Sequence, residues 1–263
     1  MANCIFCGEP FGPGRERSKE HAAPKWCRDL LPERGVASHT QTVYTEAGVE
    51  AVDQGRRNPF TTTLNDVCKL CNEGWMDELE NSSRPTLSNL IQGSPRRLGY
   101  WRQALVATWA CKTAMVWECL AGDHRAMPMA CLRELHRTQR PPAKHQVWFG
   151  RYSGEDPHSF RHAAGRALGQ PDPQQTHGYL VALGVGQLVC VIFGHGFGHL
   201  EATPQNALAH RLVQVWPPIH EFAEWPPAQT LDDAGLSATV WALGTFPGVS
   251  LPSVPEVPKA ATE

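Results

Sequence analysis

Hydrophobic residues change their spacing along the chain, and the changes mark out its elements. Trp75, Met76 and Leu79 fall at i, i+1 and i+4, with Asp77, Glu78 and Glu80 turned away. That pattern predicts a short amphipathic helix after Cys71, ended by residues 81–84 and Pro85. From about Pro95 a longer helix is predicted, because Trp101, Leu105, Trp109, Lys112, Val116 and Leu120 recur at helical spacing. Trp109 and Trp117 should pack in its core. A further helix is expected over residues 129–137, closed by Pro141 and Pro142.

Beyond these helices the period shortens. Residues 146–151 and 178–193 read as strands, with Gly184, Val185 and Gly186 as a hairpin turn. Residues 211–216 read as another strand, ended by Pro217 and Pro218. At the other end of the chain, residues 11–17 read as a loop and 18–25 as partly extended. Residues 29–58 hold few large apolar side chains and would not build a core alone. The tail past Phe246 is rich in Pro, Ser and Ala and is expected to fray. The expected class is α+β: an N-terminal unit over residues 1–90, then a helix-then-strand unit over 91–263 whose role the sequence does not reveal.

Composition narrows this picture. A hydrophobic fraction of 41% in 263 residues supports a folded core. The N-terminus has no charged leader before an apolar run, and the longest apolar stretch is broken by Gly184, Gly186 and Gln187. The expectation is a cytoplasmic protein without a membrane partner. The nine cysteines are an odd number. In a reducing compartment the paired ones read as metal ligands, while Cys27, Cys111, Cys119, Cys131 and Cys190 read as small hydrophobes. Net charge is −2, unevenly spread. Residues 124–166 carry eight Lys and Arg against three acids, and residues 201–263 carry seven acids against two bases. The basic stretch could lie along phosphates or be a solvated helix face.

The chemistry concentrates near the N-terminus. Cys4-x-x-Cys7 and Cys68-x-x-Cys71 supply four thiolates, the ligand set of tetrahedral structural Zn²⁺. Between the pairs lie Glu20 and His21. Adjacent strand residues face opposite ways, so one can hold a metal while the other meets water. A phosphodiester needs a base, a cation for the leaving oxygen, and positioning. His21 has the titration range of a base. Glu20 and Asn72 offer oxygens suited to Mg²⁺ or Mn²⁺.

The order C-x-x-C, Glu-His-x-x-Pro, C-x-x-C-Asn resembles the HNH endonucleases with a zinc-stapled ββα-metal (treble-clef) fold. More narrowly, Ser18–Trp26 and Cys68–Met76 resemble a bacterial and phage group with Glu-His-x-x-Pro-x-Trp and Cys-Asn-x-Gly-Trp-Met boxes. The resemblance covers about residues 1–80. It implies a structural zinc on Cys4, Cys7, Cys68 and Cys71. It implies His21 as general base, with Glu20 and Asn72 as ligands of a catalytic divalent metal. The family usually has an Asn five residues before the third cysteine; here that position is Thr63, with Asn65 nearby but out of register. Thr63 could supply one orienting hydrogen bond.

Other candidates are weaker. Glu73, Asp77 and Glu78 read as a solvated helix face. Gly194-His195 to His199 reads as a turn, and His39 as a possible phosphate contact. P-loop, dinucleotide and nucleophile-elbow fingerprints are absent from the sequence. The expected function is a metal-dependent endonuclease acting on DNA. The alternative is a non-catalytic zinc module that binds nucleic acid or protein.

Overall fold

The predicted change of period is present in the structure, a computed structural model. It describes residues 2–31, 37–45, 48–120, 127–154, 160–167, 178–194 and 210–236, with the backbone alone at 37–45, 48–57 and 160–167. The class is mixed α and β. Strand β1 (Arg17–His21) leads to one short turn of helix, α1 (Cys27–Leu30). A long hairpin follows, β2 (Ala37–Thr45) and β3 (Gly48–Arg57). Strand β4 (Thr63–Cys68) then returns antiparallel to β1. It runs directly into α2 (Lys69–Cys71), a π turn (Asn72–Met76) and α3 (Asp77–Ile91).

The second half places β5 (Arg96–Gly99), α4 (Tyr100–Leu120) and α5 (Met129–Thr138) before the remaining strands. These are β6 (His145–Tyr152), β7 (Phe160–Ala167), β8 (Gly178–Val185), β9 (Leu188–Gly194), β10 (Leu212–Trp216), β11 (Phe222–Trp225) and β12 (Thr230–Leu231). One eight-stranded sheet has the order β10-β6-β9-β8-β7-β2-β3, with β12 beside β6. Strands β2 and β7 pair in parallel, so the inserted hairpin completes the sheet of the second half. β5 pairs separately with β11.

Alternation along β8 and β9 explains their unbroken apolar runs. Val181, Leu183, Cys190 and Ile192 join the cluster around α4, while Leu180, Ala182, Val191 and Phe193 form a second cluster on the other face. The first cluster extends from Cys4 to Trp225, so the stretches 1–90 and 91–263 share buried apolar residues. Helix α4 is buried continuously from Val106 to Glu118, and Trp109 and Trp117 are fully enclosed. No described helix is long and apolar enough to cross a membrane.

Five expectations change. Pro85 lies inside α3 and does not end the preceding helix. Leu79, Leu87, Leu90 and Ile91 continue one buried stripe past it, and that packing outweighs the lost backbone bond. The hairpin turn falls at Gly186 and Gln187, because Val185 pairs with Leu188. Gly186 has φ +60 and a Cβ there would meet Ile91 at 2.8 Å, which favours glycine. Residues 37–45 and 48–57 are strands that hydrophobic spacing did not mark. Glu80 does not face away from the core; it reaches a buried lysine described below. Trp101, placed on the apolar stripe, is 72% exposed. The strands at 145–152 and 212–216 and the helix at 129–138 match expectation. His195 to His199 and the tail lie outside the described residues, as does the side chain of His39.

A fragment of residues 1–90 would lose both the β7 partner of its hairpin and the apolar cover of α4. We expect no cooperative melt and poor amide dispersion from it, whereas the full chain melts cooperatively; a folded fragment would refute the shared core.

Candidate metal centre and adjoining cleft

Strand β4 ends at Cys68 and the next turn carries Cys71, so one C-x-x-C pair sits at a strand-to-helix junction. The other forms a tight N-terminal knuckle. Gly8 N–H donates to the Cys4 carbonyl at 2.9 Å, and Gly8 takes φ +79, which glycine tolerates best. Ile5 N–H donates to the Asp66 carbonyl at 2.9 Å, docking the knuckle on β4. Phe6 is fully buried and meets Trp75 edge-on at 5.5 Å.

These elements bring four sulfurs within 4.8 Å of one another. Cys4 and Cys71 are 3.9 Å apart, and Cys7 and Cys68 are 3.8 Å apart. Sulfurs each ~2.3 Å from a central tetrahedral ion would be ~3.8 Å apart, whereas a disulfide would need ~2.05 Å. The set therefore suits a metal ion such as zinc. Its electrostatics agree. The hydrogen bond with Cys71 lowers the Cys4 thiol to about 4, and the same bond with Cys4 pushes Cys71 up. Burial raises Cys7. Crowded sulfurs resist becoming thiolates together unless a cation joins them. The Cys68 backbone N–H also donates to Cys4 Sγ at 3.3 Å, and Arg15 donates to Cys7 Sγ at 3.6 Å.

Beside this cluster lies a cleft of about 710 Å³. Glu20, His21 and Asn72 all line it. Asn72 belongs to the π turn, where Gly74 takes a non-helical conformation (φ −98, ψ −114). Its side-chain amide donates to Ser18 Oγ at 2.8 Å and to the Lys19 carbonyl at 3.4 Å. Asn72 thus braces the helix start against β1, and it makes no capping bond. His21 lies opposite Thr63 across the β1–β4 pair. Its Nδ1 is buried without a hydrogen-bond partner, an arrangement that costs free energy unless a water or ligand meets it. Thr63 is a cross-strand neighbour only; neither Thr63 nor Asn65 lines the cleft. Asn65 is exposed, and its carbonyl accepts from Arg17 at 3.3 Å.

The side chain of Glu20 is more occupied than the sequence suggested. It is 6% exposed, and Lys112 of α4 donates to its Oε1 at 3.0 Å. Lys112 is 1% exposed and also donates to Glu80 Oε1 at 2.5 Å. Burial raises the Glu20 carboxyl, and the Lys112 charge opposes that rise. Burial pulls the Lys112 ammonium down, but the charges of Glu20 and Glu80 outweigh it and the net shift is upward. Two carboxylates share one ammonium at the edge of the cleft that both acids line. Lys112 and Glu80 are the residues the sequence reading missed. A lysine on an otherwise apolar stripe was the available signal.

Of the other candidates, Glu73 and Glu78 are exposed, and Glu73 faces Lys69 at 3.7 Å. Asp77 lines the cleft and accepts from Asn81 at 2.9 Å. Among the single cysteines, Cys27, Cys111 and Cys190 are buried, while Cys119 and Cys131 are half-buried. Comparison of the chain with protein-family models, curated proteins and solved structures finds no match.

Two measurements follow. Purified protein should contain about one zinc per chain by elemental analysis, and Cys68→Ser should lose both the metal and the cooperative melt; a metal-free, fully folded protein would refute the centre. Lys112→Met should cost about 3–5 kcal/mol in urea denaturation, because it leaves the buried Glu20 and the part-buried Glu80 without their cation. Adding Glu20→Gln and Glu80→Gln should restore most of the loss; no rescue would mean that packing, not charge, is what Lys112 supplies.

Proposed function

We propose that the chain is a divalent-metal-dependent endonuclease of the HNH type, acting on DNA. The observation that carries this reading is the convergence of Glu20, His21 and Asn72 on one cleft beside the four-sulfur cluster. The antiparallel pair followed by a helix is in keeping with a zinc-stapled ββα-metal unit. In that role zinc on Cys4, Cys7, Cys68 and Cys71 is a staple, not a catalyst.

His21 lines the cleft, and in this reading its imidazole meets the nucleophilic water there. His21 takes the proton of that water as its oxygen attacks phosphorus, and the bond from phosphorus to the leaving oxygen breaks. Glu20 and Asn72 would hold Mg²⁺ or Mn²⁺, which when bound offsets charge on the leaving oxygen. Lys112 holds Glu20 in place, and Ser18 with the Lys19 carbonyl holds Asn72. Such second contacts fix the geometry of a ligand set. Thr63, opposite His21, replaces the usual orienting Asn.

The engagement of Glu20 with Lys112 favours a second reading, a zinc module that binds without cutting. The same experiment separates them. Supercoiled plasmid with Mg²⁺ or Mn²⁺ should become nicked, and His21→Ala should lower the rate at least a hundredfold, within the range of ~10²–10⁴ for losing a general base, with an unchanged melt. Equal cutting by the variant would remove His21 from the mechanism, and no cutting by either protein would favour the binding module.

A further inference from the structure

A second cavity of about 350 Å³ lies further along α3. Pro85, Thr86 and Asn89 line it from α3, Arg96 and Leu98 from β5, and Arg102 from α4. No acidic residue is among them. The Arg96 guanidinium donates to Asn89 Oδ1 at 2.6 Å, which holds it at the cavity. Arg102 has no ion-pair partner among the described residues. Arg97, next to Arg96, is used differently: it covers the Phe222 ring at 3.7 Å and pairs with Glu224 at 3.1 Å. Strand alternation separates it from Arg96.

Two aromatic residues immediately precede Arg102 on the first turn of α4. Trp101 is 72% exposed and Tyr100 is 53% exposed, among the few large hydrophobic side chains on the surface. Guanidinium groups beside open aromatic faces are the equipment of single-strand recognition: phosphates meet the cations and unpaired bases stack on the rings. The position fits as well. Asn81 lines the first cleft and Asn89 the second, on the same helix. Eight residues of helix span ~12 Å, the axial rise of roughly three to four nucleotides of a duplex strand.

We propose that Arg96, Arg102 and Trp101 form a second nucleic-acid subsite. Arg96 and Arg102 hold a backbone phosphate, and Trp101, with Tyr100 beside it, stacks an unpaired base a few nucleotides from the phosphate in the first cleft. This placement of the strand rests on the nuclease reading; binding at the subsite does not. The protein therefore prefers substrates that are single-stranded or locally unpaired there.

The test is fluorescence anisotropy of the full chain with a labelled single-stranded oligonucleotide and its duplex, across a salt series without added divalent metal. Arg96→Ala with Arg102→Ala should weaken single-strand binding about tenfold or more and flatten the log-affinity against log-salt slope by ~0.7, the share of one phosphate. Trp101→Ala should weaken single-strand binding about tenfold and leave the duplex nearly unchanged. All three side chains are exposed, so melts should match the wild type. If neither variant changes binding while the wild type still nicks plasmid, the subsite is wrong and the nuclease reading stands. If both variants weaken binding while the wild type never nicks, the subsite stands and the nuclease reading falls. Equal loss on duplex and single strand with Trp101→Ala would overturn the stacking role.

Discussion

A buried ammonium ties the two halves of the chain together. Removing a charge of that size from water costs several kcal/mol unless partners replace the water, and Lys112 has two, Glu20 on β1 and Glu80 on α3. Separation of β1 from α4 would leave the buried Lys112 and Glu20 without each other, and separation of α3 would take Glu80 from the same ammonium. The surrounding packing makes this constraint effective. Trp109 and Val116 on the same helix are fully buried, and Trp26 leans on Trp109 at 6.4 Å. The position of Glu20 at the cleft is therefore set from beneath by a helix that contributes nothing else to the cleft's lining.

The cysteine cluster acts from the other side. It fixes the N-terminal knuckle to the junction of β4 and α2, and the π turn begins at the very next residue, Asn72. A kink at Gly74, whose backbone is non-helical, separates this turn from α3. Here the turn places Asn72 where its amide nitrogen bonds back to β1. The cleft thus lies between two rigid anchors, four sulfurs and one ion triad, and its other walls are largely polar side chains on the surfaces of β1, α1 and α3.

Much of the candidate site was legible because its residues are near neighbours in sequence. Two C-x-x-C pairs, Glu20 beside His21, and Asn72 after Cys71 carry their geometry in their spacing. What escaped was long-range. Lys112 stood out as a charge on the apolar stripe of α4, but its partner Glu20 lies 92 residues away, and spacing says nothing over that distance. Pro85 was read as a stop because local rules say so, and tertiary packing of Leu87, Leu90 and Ile91 overrode them. The hairpin at 37–57 was missed because residues such as Ser38, Thr40, Gln41 and Thr42 give no apolar alternation; its support comes from the neighbouring strand β7.

That parallel pairing has a consequence for biosynthesis. Ala37 finds its partner at Phe160, so the hairpin leaves the ribosome well before the strand it must join. All four thiols, by contrast, have been synthesised by Cys71. The nascent chain can close its knuckles first while one border of β2 stays open to other chains. Translation speed over the intervening segment, and any chaperone that shields that border, then govern how much protein reaches the finished sheet.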